Sequence, residues 1–152
     1  MKIWNRRAAV AIIVPAACLL VACGGGGGDT QSSQSASAFV VELVETVAKG
    51  QHVRAWEQLH PAHQAIATRD AYVACREDTV VAIEDVKAIE EYPETEVIPE
   101  LGEVTTQAVT VSFRVGETTL RDTFHAVPDG DGWRWVLPTA DLEAYRAGDC
   151  PT

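Results

Sequence analysis

Asp122 is the residue of this chain best placed for acid–base chemistry. If Gly116-Glu117 forms a two-residue hairpin loop, Phe113 faces Leu120, Val111 faces Asp122 and Val109 faces Phe124 across the hairpin. That register puts a carboxylate on an apolar face, where it costs free energy unless paired, hydrated or protonated. A bond to Tyr72 or His60, a hydrated cavity, or service as a proton carrier would each account for it. As a general base, Asp122 would need a tyrosine or histidine acid within hydrogen-bonding reach of the same cavity. The histidines invite a metal reading, but Pro61 interrupts the helix between His60 and His63, and no H-E-x-x-H spacing accompanies them or His52. Asp129 and Asp131 resemble the opening of a calcium loop, yet the position of the bidentate acid is Ala140, so a hairpin turn is the better account. No metal is expected. Gly24 to Gly28 lack the lysine and hydroxyl residue of a phosphate loop, and no other cofactor motif is present, so no cofactor is expected either. Spacings for Ser-His-Asp or Cys-His hydrolysis are also missing.

The chain has 4 cysteines, and they divide by position. Lys2, Arg6 and Arg7 precede an apolar run from Ala8 to Ala22, the layout of an export signal. The run is shorter than the ~20 residues of a membrane span. Pro15 would also break a permanent helix there. Its end, Leu20-Val21-Ala22-Cys23, resembles the bacterial lipobox, in which the cysteine receives a diacylglyceryl group and the signal is cut just before it. Cys18 fits less well, because Pro15 would take the position of the lipobox leucine. A plain secreted protein and an uncut anchor are the alternatives. Two acyl chains suffice for stable anchoring, at about 0.8 kcal/mol per buried methylene. The expected organisation is a signal over 1–22, a lipidated Cys23 with a Gly/Ser/Gln-rich tether over 23–37, and one folded domain over 38–152. The location is then the extracytoplasmic face of a bacterial cell membrane. Cys75 and Cys150 remain as an even pair in an exported domain and read as one disulfide, with two free thiols as the alternative. Closing a loop of about 75 residues would contribute roughly 4 kcal/mol on the chain-entropy model.

With 22 acidic and 12 basic residues among 152, the formal charge is −10, and removal of the signal makes the mature chain more acidic still. Nucleic acid is therefore not an expected partner. An anionic lipid surface would repel the domain, so the tether holds it away from the membrane to which Cys23 is bound.

The elements that must position these residues follow from periodicity. Phe39, Val40, Leu43, Val44 and Val47 recur at helical spacing, with Gly50 as a stop. A second helix is expected from about His52 to His60, burying Val53, Trp56 and Leu59 and ended by Pro61. Thr68 reads as the N-cap of a third, with Asp70 in its first turn and Tyr72 and Cys75 on one face. From Thr79 to Tyr92 β-branched residues dominate; Val109 to Val115 and Trp133 to Leu137 then alternate with polar partners, as antiparallel strands do. Asp129-Gly130-Asp131-Gly132 fits a second turn. Glu90, Glu91, Glu94, Glu96, Glu100 and Glu103, set among Pro93 and Pro99, read as a solvated, proline-guarded edge. Thr139 begins a last short helix reaching about Arg146. Helices followed by an antiparallel meander make an α+β fold, with helices on one face of a curved sheet.

"AWEQLHPAHQA", "AYVACRE", "EVTTQAVTVSF" and "DGWRWVLPTADLEAYRAGDCP" resemble the nuclear transport factor 2-like lipoproteins of actinobacteria over Ala38 to Pro151. The resemblance implies a cone of N-terminal helices over a bent antiparallel sheet with a cavity between them, and it includes the paired cysteines. The wall of that cavity is expected from Trp56, His60, Tyr72, Phe113, Phe124, Trp133 and Trp135. Related cones include ketosteroid isomerases, dehydratases and polyketide cyclases, and also members that only bind or dimerise, so the fold does not fix the activity. The expectation is a non-catalytic binding module. Its partners would be a small apolar ligand, an envelope protein or a second copy of the chain. A cofactor-free isomerase or dehydratase using Asp122 is the alternative.

Overall fold

The computed structural model describes residues 34–77 and 82–151. Cys23, its lipobox and most of the expected tether lie outside the described residues. Helix α1 spans Ala36–Ala48, so it begins inside the stretch expected as tether. The reason is local: the Ser35 hydroxyl accepts from the Ala38 amide at 3.2 Å, which caps the helix four residues before its apolar stripe starts at Phe39. Phe39, Val40, Leu43 and Val44 are buried as their spacing requires.

Helix α2 covers only His52–Glu57. It buries His52 and Ala55, while Val53 is exposed, contrary to the expected face. The cause is tertiary. Gln58 to His60 leave the helix to pair with Trp135, with His60 N donating to Trp135 O at 2.9 Å and Trp135 N to Gln58 O at 3.2 Å. Leu59 is therefore buried from an extended segment and not from a helix face. Pro61 then starts a one-turn helix α3, Pro61–Gln64, at the first-turn position where its missing N–H costs nothing. Helix α4, Arg69–Glu77, follows the Thr68 cap and carries buried Tyr72.

Four strands form one antiparallel meander in the order β1-β2-β3-β4: β1 Ile83–Ile98, β2 Gly102–Val115, β3 Thr118–Asp129 and β4 Gly132–Trp135. The first residues of the expected strand from Thr79 lie outside the described residues. β1 continues straight through Pro93, which faces Gln107. An edge strand tolerates this because one side of its backbone has no ladder partner. The acidic segment is thus largely strand, up to a turn at Pro99-Glu100-Leu101, with Glu100 at φ 69 and Gly102 at φ 78. Irregular pairing at Glu84/Lys87 and Ala88/Glu90 bends β1. The β2–β3 register matches the Gly116-Glu117 loop, pairing Phe113 with Leu120, Val111 with Asp122 and Val109 with Phe124.

Helix α5, Thr139–Ala147, ends on Gly148 at φ 80. Cys75 and Cys150 are bonded, with Cα atoms 5.3 Å apart, tying α4 to the segment after α5. The architecture is α+β, with helices on one face of the curved sheet. Its core joins Val40 and Leu43 of α1 to Val109, Val111 and Ala126 of the sheet, and to Tyr72, Trp135 and Leu142.

Candidate functional site

A cavity of about 540 Å³ opens between the helices and the sheet. Each element contributes side chains for a local reason. Leu43, Val44 and Val47 lie on the inner stripe of α1, and Tyr72 and Arg76 stand one turn apart on α4. Phe113 comes from β2; Asp122 and Phe124, two apart on β3, point to the same side. Trp135 closes β4, and Asp141 sits in the first turn of α5.

Polar groups gather at two places on this wall. At the first, the Arg76 guanidinium stands 3.6 Å from the Asp141 carboxylate and 5.5 Å above the Tyr72 ring. Burial raises the Asp141 pKa above its ordinary value; Arg76 opposes that shift and Asp122 adds to it. Burial pushes the Tyr72 phenol up to about 12, so it remains a donor at neutral pH. Tyr145, stacked near Tyr72 with ring centroids 6.3 Å apart, also has its pKa raised, chiefly by burial. Its hydroxyl lies beside Arg76 without closing a well-formed hydrogen bond, and the Arg76 Nε is likewise buried without a partner among the described residues.

At the second, Glu96 Oε1 meets His125 Nδ1 at 2.5 Å, with the Thr106 hydroxyl 3.2 Å from the same nitrogen. A carboxylate on one ring nitrogen fixes the imidazole's orientation and leaves the other nitrogen available for proton transfer.

Asp122 borders the cavity, and the hairpin register that put it there is the observed one. It is exposed, however, and its carboxylate accepts from the Thr123 amide at 2.8 Å instead of bonding to Tyr72 or His60. The cost expected for an inward carboxylate falls on Asp141, which the sequence reading did not single out.

Of the expected cavity wall, Tyr72, Phe113, Phe124 and Trp135 line the space, while Trp56, His60 and Trp133 do not. Their polar atoms are used as ties. Trp56 Nε1 donates to Ala67 O at 2.7 Å, Trp133 Nε1 to Gln34 O at 2.6 Å, and His60 Nδ1 accepts from Ala62 N at 3.2 Å as the cap of α3. His63 is wholly buried; its Nδ1 accepts from Leu137 N at 3.1 Å and its Nε2 donates to Pro99 O at 3.0 Å. No group of three or more His, Cys, Asp or Glu side chains is arranged to hold a metal ion among the described residues. Asp129 takes the Arg134 guanidinium at 2.9 Å, as a hairpin residue would.

The sequence does not single out Arg76, Asp141 or His125, and Glu96, expected on a solvated edge, lies on the cavity wall against His125 instead. Arg76 had a usable signal, since it follows Tyr72 by one turn on a helix whose inner face was known. The link from Cys75 to Cys150 would then have brought Asp141 beside it. Glu96 and His125 had none, because their meeting depends on how far the acidic strand continues past Pro93. Compared with protein-family models, curated proteins and solved structures, the chain matches none.

Proposed function

We propose that this chain is a lipid-anchored, non-catalytic module of a bacterial cell envelope. In this reading it is held on the extracytoplasmic face through Cys23, and its nuclear transport factor 2-like cone binds a small, largely apolar ligand. The observation that carries the binding role is the cavity of about 540 Å³ walled by Leu43, Val44, Phe113, Phe124 and Trp135, a volume in the range of small-molecule sites. Titration calorimetry with 2-naphthalenemethanol, a neutral apolar probe, should give saturable binding to the full-length chain. Val44→Phe, which fills the space from α1, should abolish that binding while leaving a cooperative melting transition. Absence of binding, or binding unaffected by Val44→Phe, would remove the cavity as the site. The anchor rests on Leu20-Val21-Ala22-Cys23. In a bacterial host, Cys23→Ser should abolish acyl labelling and release the protein from membranes; unchanged labelling would refute the assignment.

A second reading, a cofactor-free isomerase or dehydratase, draws on one observation: Asp122 borders the same cavity as Tyr72, whose phenol stays protonated. Asp122 would take a proton and Tyr72 would supply one. Its signature would be a rate lowered by about 10² to 10⁴ in Asp122→Asn with substrate affinity retained.

A further inference from the structure

The charged residues on the cavity wall are unequal in sign. Glu96, Asp122 and Asp141 bring three carboxylates, and Arg76 is the one guanidinium among the described lining residues. Arg76 is partly engaged: Asp141 stands 3.6 Å away and the Tyr72 ring lies beneath it, while its buried Nε has no partner among the described residues. Glu96 is engaged as well, by His125 at 2.5 Å. Asp122 is different. Its carboxylate has one hydrogen bond among the described residues, to its neighbour's amide, and it stands close enough to Asp141 for the two like charges to act on each other. An anionic ligand reaching for Arg76 would meet the Asp141 carboxylate beside it and the Asp122 carboxylate on the same cavity wall, and like charges repel. A cation entering the same place relieves that repulsion and finds an acceptor with free lone pairs. The adjoining wall is aromatic, with Phe113, Phe124 and Trp135, and aromatic faces attract cations that have shed their water.

From this we infer that the cavity selects a cationic ligand, an apolar amine whose hydrocarbon body lies against Val44, Phe113 and Phe124 and whose ammonium group sits between Asp122 and Asp141. The inference rests on the cavity-binding reading above and gives its ligand a chemical class. Net charge alone does not produce it. A chain of charge −10 attracts any amine weakly at long range, and physiological salt screens that attraction beyond about 8 Å. Selection inside the cavity needs Asp122 in particular.

The test compares three probes of one shape on the full-length chain at pH 7 and 150 mM salt: 2-naphthylmethylamine, 2-naphthalenemethanol and 2-naphthoic acid. The amine should bind at least ten-fold more tightly than the acid, with the alcohol between them. Asp122→Asn should reduce that preference to within about three-fold. Glu117→Gln, which removes an equal charge from the exposed β2–β3 turn, should leave the preference intact. Tighter binding of the acid would overturn the inference and make Arg76 the anchor, with cavity binding still standing. An amine preference that survives Asp122→Asn would also overturn it, as an effect of overall charge. Failure of all three probes to bind would remove the cavity-binding reading and the inference together.

Discussion

With Nδ1 accepting from Leu137 and Nε2 donating to Pro99, the His63 ring must stay neutral in the native fold. Burial lowers its pKa below the ordinary value of 6.5; His60 and Arg146 reinforce that direction, while the Pro99 carbonyl and Glu100 oppose it. The His60 pKa is lowered too, mainly by burial. An unfolded chain protonates these rings as pH falls through about 6.5, and the native chain does so only at lower pH. The unfolded state therefore binds more protons in that window, so stability is full above about pH 6.5 and declines as the solution is acidified towards the folded pKa. Urea midpoints at pH 7.5 and 5.5 should show this decline. His63→Leu should flatten its share of the slope and cost about 2 kcal/mol or more at pH 7.5, because the Leu137 amide and Pro99 carbonyl lose their partner. An unchanged slope in the variant would contradict the assignment. The sequence places His63 near a helix end, where bonding to a carbonyl or facing solvent is the common use. It does not reveal complete burial, because the ring's partners are far along the chain, at residues 99 and 137.

Loop chemistry explains why some elements were legible and others were not. Gly116-Glu117 determines the β2–β3 register by itself, since a two-residue loop leaves one pairing, and Asp122 reached the cavity side as that pairing requires. The division between α2 and α3 was hidden, because Gln58 to His60 prefer Trp135 of the sheet to another helical turn. β1 was underestimated at its acidic end for a related reason: its position at the sheet edge, which tolerates Pro93, is a property of strand order and not of the segment. The Cys75–Cys150 bond acts between elements. It secures the end of α5 to α4, with Arg76 and Asp141 on the two elements it joins. Cys150→Ala should lower Tm by about 8–20 °C, the range implied by a loss of about 2–5 kcal/mol in a domain of this size. A calorimetric scan with no shift would mean that α5 docks without the bond.

Across the whole molecule, the sequence conveys the class of fold and the acidity of the chain more readily than the contents of its cavity. The apolar part of the wall was partly legible, as Tyr72, Phe113, Phe124 and Trp135 belong to periodic stretches. Of the charged part only Asp122 was legible, through its hairpin register, because Arg76 meets Asp141 and Glu96 meets His125 only when α4 is assembled with α5 and β1 with β3. The His63 tie has a consequence for how the assembly opens. The Leu137 amide bonds to a side chain on α3, and that same ring holds the turn after β1. Releasing this proton to solvent requires the helix, the turn and the exit of β4 to separate, so small excursions of one segment leave it protected. In deuterium oxide the Leu137 amide should fall in the slowest-exchanging class, at a free energy near that of global unfolding. By NMR the Gly130 amide, in the exposed β3–β4 turn, should exchange many orders of magnitude sooner. Equal rates at the two sites would mean that the regions around His63 open independently.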